Sequence, residues 1–109
     1  MKSGLNFAAP AAVAAMLFAI SGQAADNGEA IFKQKCAACH GANGSGQTGM
    51  GKMFKLRDLR SPEVQKMTDA QMEDFIAHGK GRMPAFSQSL GKAKIQAVVA
   101  HLRELAKTK

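Results

Sequence analysis

The 109-residue chain has no tryptophan, no tyrosine, three prolines and two cysteines. Without large polar aromatics it lacks the stacking platform of a single-strand nucleic-acid binder, so the formal charge of +7 does not by itself argue for a nucleic-acid partner. Two cysteines supply one disulfide at most, too few for a disulfide-stapled scaffold. The length excludes a multidomain enzyme. Long hydrophobic runs are also scarce. The chain has one such block, Phe7 to Ile20, rich in Ala, Val, Leu, Phe and Ile.

That block reads as part of an export signal over residues 1–25. Lys2 gives the positive start, Phe7 to Ile20 the apolar stretch, and Gly22-Gln23-Ala24-Ala25 a small-residue cleavage region. A bilayer-spanning helix needs about 20 apolar residues, whereas this stretch contains Pro10 and runs directly into Ser21, Gly22 and Gln23. Cleavage after Ala24 puts Gly22 at the minus-three position; cleavage after Ala25 puts Gln23 there. The remaining chain, 26–109, stays basic and is expected to fold as one small domain without stable membrane insertion. A core of that size commonly needs a disulfide, a metal or a large ligand to complete it.

Both cysteines lie in Cys36-Ala37-Ala38-Cys39-His40, the spacing that attaches a c-type haem. Side chains three apart on a helical turn share a face, so both thiols can reach one porphyrin edge. His40 is then placed for the proximal iron position through an imidazole nitrogen. Three other readings compete. A disulfide oxidoreductase would place a strand before the pair and a long helix after it, but a glycine-rich loop follows. A zinc site would need two more ligands at matching spacing, and there is no second cysteine pair. A structural disulfide would leave His40 without a task.

A haem held this way calls for a second iron ligand downstream. Met83 sits in Gly79-Lys80-Gly81-Arg82-Met83-Pro84-Ala85-Phe86, a stretch that cannot continue a helix. It is preferred over His78, which ends a helix-like segment and reads as a cap for the last carbonyls. Met50, Met53, Met67 and Met72 read as gap-filling core.

Elsewhere the pattern is helical. Asp26 with Glu29 three positions on reads as a helix start, followed by Gly28, Phe32 and Cys36 at intervals of four. Gly41 to Gly51 reads as loop; it lacks the Gly-Lys-Ser/Thr ending and the preceding strand of a phosphate cradle. Ser61-Pro62 opens one or two turns through Lys66. Thr68 and Gln71 form a capping box, with Met67 and Met72 spaced as a hydrophobic staple. Met72, Phe75 and Ile76 are expected inside, and Gly79 ends that helix. The last helix carries Ile95, Val98, Val99, Leu102 and Leu105 on its apolar face, with Gln96, Arg103, Glu104 and Lys107 outside. No segment alternates as a strand does.

The Cys36–His40 motif near the start of the chain after the signal, the Met83-Pro84 loop and the closing amphipathic helix together resemble the small class I c-type cytochromes. The similarity is greatest to the single-haem bacterial periplasmic proteins of the c6, c553 and cbb3-oxidase-subunit types. It implies an all-α cytochrome c fold of three to five helices wrapped around one covalent haem c. The first and last helices should cross near Gly28 and Phe32, against Val98, His101 and Leu102. His101 takes a position where similar proteins place an aromatic, which suits packing better than iron ligation. The family's proline after the motif is absent between Gly41 and Ser61, so a loop carbonyl is expected to hold the His40 Nδ1 proton.

The resemblance implies a periplasmic one-electron carrier, not an enzyme, and a monomer serving redox partner proteins. The other readings are a haem enzyme or a gas or redox sensor with a displaceable sixth ligand, and a dedicated subunit of an oxidoreductase complex. Lys33 and Lys35 beside the attachment motif, with Lys80 and Arg82 beside Met83, read either as a basic rim that steers towards acidic partners or as a solvated face.

Overall fold

The computed structural model describes residues 27–108; the export-signal reading of 1–25 and the capping role given to Asp26 lie outside them. Six helical segments follow in order: α1 (Gly28–Lys35), α2 (Ala37–His40), α3 (Gly49–Phe54), α4 (Pro62–Gln65), α5 (Asp69–His78) and α6 (Ser87–Lys107). Among the described residues the one β-type pairing is an isolated bridge between Lys80 and Met83. No helix there is long and apolar enough to cross a membrane. The count exceeds the expected three to five because α2 and α4 are single turns and α3 forms where a loop was expected.

Capping chemistry explains most of the boundaries. The cap of α1 is Asn27, whose Oδ1 accepts from the Ala30 amide at 3.1 Å. Ser61 caps α4 ahead of Pro62, and Thr68 and Gln71 close their reciprocal box on α5. Gly79 ends α5 with φ 71°, and Gly91 breaks α6 after its first turn with φ 72°. Each angle lies in the region that L side chains disfavour.

α6 packs on both α1 and α5. The shared core is Phe32 from α1, Val64 from α4, Met72 and Ile76 from α5, and Ile95, Val98, Val99 and Leu102 from α6. At the α1–α6 crossing Phe32 is 1% exposed. A Cβ on Gly28 would lie 2.0 Å from the Ala97 carbonyl oxygen, so only glycine permits this approach. The His101 ring lies 5.3 Å from that of Phe32, the packing role expected for it, and its buried Nε2 finds no hydrogen-bond partner.

Four side chains depart from their expected places. Phe75 is 39% exposed on α5, and Met50 and Met53 stand on the surface of α3, whose close contact with α2 is made by Gly51 instead. Arg103, expected outside, lies over the α4–α5 connection. Its guanidinium donates to the Gln65 and Met67 carbonyls at 2.9 and 2.6 Å and to Asp69 Oδ1 at 2.8 Å. A long side chain can leave an outer helix position and still reach inward.

Candidate functional site

Cys36 ends α1, where its amide donates to the Phe32 carbonyl at 2.9 Å. The chain immediately starts another turn, with the His40 amide donating to the Cys36 carbonyl at 2.9 Å and that of Gly41 to Ala37 at 2.8 Å. Cys36, Cys39 and His40 therefore belong to one helical turn, with the two cysteines on one side. Gly41 stops the turn with φ 84°.

Both thiols are free and half-buried. Burial, together with the neighbouring Cys39, pushes the Cys36 thiol up to about 11. A disulfide-exchange motif works with a thiolate stabilised well below the ordinary value, so Cys36 has the wrong electrostatics for that chemistry. No cluster of three or more His, Cys, Asp or Glu side chains suited to a metal ion is found among the described residues, which leaves a zinc reading without its remaining ligands.

The segment after His40 wraps the turn from below. Thr48 Oγ1 donates to the Cys39 carbonyl at 2.6 Å and accepts from the Gly51 amide at 2.8 Å, so one hydroxyl caps α3 and clamps the motif. The Gly46 amide donates to the His40 carbonyl at 2.7 Å, and Leu59 N–H to the Gly44 carbonyl at 2.8 Å. A Cβ on Gly51 would lie 2.0 Å from the Gly46 oxygen and 3.0 Å from that of Cys39. This contact explains the glycine at position 51: the helix is drawn in against the motif, and tertiary packing overrides weak helix propensity. Thr48, Gly46 and Gly51 were absent from the expected site; the available signal was Thr48 three residues ahead of Gly51, a capping distance.

The His40 ring is set by burial. Its Nδ1 is enclosed and has no hydrogen-bond partner, so the loop carbonyl expected to hold its proton is not found there; the adjoining Cys39 and His40 carbonyls accept from Thr48 Oγ1 and the Gly46 amide. Desolvation lowers the His40 pKa, keeping the imidazole neutral at neutral pH, as a metal ligand must be. With Nδ1 inside the protein, Nε2 is the nitrogen left for an iron.

Met83 lies in a loop closed on itself. The Lys80 amide donates to the Met83 carbonyl and the Met83 amide to that of Lys80, both at 3.0 Å, around a two-residue turn with Gly81 at φ 58°. A Cβ on Gly79 would lie 2.5 Å from the Met83 oxygen, so glycine is required where the loop leaves α5. The Phe86 amide fastens the far end to the Ile76 carbonyl at 3.0 Å. Met83 and Cys36 both pack against the one hydrophobic core. His78 turns back on its own helix: Nδ1 lies 3.0 Å from Asp74 Oδ1 and 3.1 Å from the Asp74 carbonyl.

Two thiols on one turn, a neutral imidazole with Nε2 free, and a thioether in a glycine-closed loop form a donor set suited to a covalently attached iron porphyrin. Residues 23–102 match the family described as cytochrome c oxidase, cbb3-type, subunit III. The chain belongs to the small class I c-type cytochromes. The cytochrome is 35% identical over 79 residues to cytochrome c6 of Leptolyngbya boryana, covering 72% of this chain and 89% of that one. It is 34% identical over 80 residues to a cytochrome c6-like protein of Nostoc sp., covering 73% and 69%. Among solved structures, the KustC0563 c-type cytochrome superposes with a TM-score of 0.67 at 27% identity, over 72% of this chain and 96% of the other. The cytochrome carries covalently bound haem c and serves electron transport, as its family does.

Proposed function

We propose that the protein is an exported periplasmic electron carrier whose haem is bound through Cys36 and Cys39 and whose iron is held by His40 Nε2 and the Met83 thioether. The single observation behind this reading is the Cys36–His40 turn, with two free thiols on one side and a buried, unpartnered Nδ1 that leaves Nε2 for iron. The haem supplies reversible one-electron exchange. Two axial side chains leave the iron no open position for substrate, and a sulfur ligand favours the reduced state, which raises the potential. Phe32 and the apolar faces of α1 and α6 keep water from the inner side of the site and act in the same direction.

The surface charges fit delivery to acidic partners. Lys35, Lys80 and Arg82 are exposed, while the ion pair of Lys33 with Glu29 at 2.9 Å weakens its share of the rim. Electron-transfer rates with an acidic partner are expected to fall as ionic strength rises; a flat dependence rejects steering. The family's description as an oxidase subunit favours a second reading, in which the same chemistry serves one complex. Purification from periplasmic extract as a free monomer supports the carrier, and co-purification with an oxidase supports the subunit.

The ligand assignment is tested by the spectrum of the ferric holoprotein. A sulfur-to-iron charge-transfer band that is lost in Met83→Ala is expected; a band retained in that variant rejects Met83. Rapid carbon monoxide binding by the ferrous wild type would favour a haem enzyme or sensor instead. Mass spectrometry of the exported protein is expected to show a start at Ala25 or Asp26.

A further inference from the structure

Two cations, Lys80 and Arg82, closely precede Met83 in sequence, and each lies over an aromatic ring. Lys80 Nζ is 5.9 Å from the centre of Phe75, near the outer limit of such a contact, and Phe75 belongs to the α5 helix from which the loop springs. Arg82 differs in both respects. Its Cζ is 4.6 Å from the centre of Phe54, well inside the range of a cation–π contact, and Phe54 is the last residue of α3. That helix packs against α2, the turn that ends in His40. The Arg82–Phe54 stack therefore joins the loop of one proposed axial ligand to the segment that holds the other.

We propose that the Arg82–Phe54 stack is a latch that keeps the Met83 loop closed and so limits exchange of the sixth iron ligand. This rests on Met83 being that ligand. Arg82 is a positioning residue: it does not touch the iron and acts through the loop. The main-chain fastenings of the loop lie at its base, namely the Lys80–Met83 bridge and the Phe86–Ile76 hydrogen bond. They hold its shape and its attachment to α5, and neither ties it to α3. An exposed cation–π contact changes a closed-to-open ratio by about two- to fivefold, enough to read in ligand exchange and too little to unfold the domain.

The test measures the rate at which imidazole displaces the native ligand from ferric holoprotein, in stopped-flow at subsaturating imidazole. Arg82→Ala and Phe54→Leu are each expected to speed capture about two- to fivefold. Arg82→Lys, which keeps a cation, is expected to fall between Arg82→Ala and wild type. The double variant Arg82→Ala/Phe54→Leu is expected to be no faster than either single one, since both remove the same contact. Wild-type rates in both single variants overturn the latch, and so do effects that multiply in the double variant. Met83→Ala is run alongside: if its charge-transfer band survives, the ligand reading fails and takes the latch with it. A lost band with unchanged rates in Arg82→Ala rejects the latch alone.

Discussion

The segment beneath His40 and the loop carrying Met83 do comparable work by different means. Gly41–Leu59 is fastened largely through main-chain groups: the Cys39 carbonyl is taken by the Thr48 hydroxyl and that of His40 by the Gly46 amide, Gly44 and Leu59 are tied together, and Gly51 sits flush against Gly46. Gly79–Phe86 has one bridge, one hydrogen bond to α5 and a tight glycine, and beyond these it relies on surface side chains. Buried main-chain ties open only with larger parts of a fold, whereas surface contacts open locally. Under the proposed His40 and Met83 ligation, the difference would leave one ligand structurally committed and the other adjustable.

The sharpest way to probe this contrast is at Gly51. The atoms that an added Cβ would meet are backbone and cannot rotate away, so Gly51→Ala is expected to cost about 3 kcal/mol in guanidinium unfolding of the holoprotein. Gly79→Ala is its distal counterpart, with φ 71° and a Cβ 2.5 Å from the Met83 oxygen. Its expected cost is about 2 kcal/mol of local strain, read chiefly as loss of the charge-transfer band with a smaller shift in the unfolding midpoint. Equal global destabilisation by the two substitutions would break the contrast.

Thr48 offers a finer test, because one hydroxyl serves both α3 and the Cys39 carbonyl. Thr48→Val is expected to lower stability by about 1–2 kcal/mol, and Thr48→Ser to recover most of it. If the charge-transfer band weakened in Thr48→Val as much as in Gly79→Ala, the two loops would be coupled instead of independent.

The smallest effect lies away from both loops, at His101. Burial lowers its pKa; Glu29 and Glu104 oppose that shift and Lys33 adds to it. Below the ordinary value of 6.5 the unfolded chain binds a proton that the folded chain resists, so stability is full at neutral pH. It declines as pH falls through that value to the lowered one. A shallow drop in the unfolding midpoint on acidification is expected, reduced in His101→Phe with the charge-transfer band unchanged. An identical pH profile in that variant would clear His101 of any part in it.

What could be read from the residues follows the range of each interaction. The caps at Ser61 and Thr68, the stop at Gly79 and the inward face of α6 depend on neighbours within a few positions, and all were legible. Gly28 was legible as a place where another helix could approach closely, and the family resemblance supplied its crossing with the last helix. α3 was not legible, since its Gly51 serves a contact with Gly46 and Cys39 that no local pattern reveals. Arg103 sits off the apolar stripe, and periodicity says nothing of where a long side chain bends. For His40 the motif offered the proposed ligand, but the missing partner at Nδ1 depends on the path of a loop that no local pattern specifies.

The approach of Gly28 to Ala97 has a consequence for the order in which the molecule is built. Apart from the turn that follows it, α1 packs on α6, so a chain that emerges N-terminus first presents Phe32 before its main partner exists. Helices α2 to α5 all pass before that ring can be covered. The domain closes like a clasp whose hook is made first and whose eye is made last. Until α6 arrives, Cys36, which packs against the same core, remains on an unfinished chain.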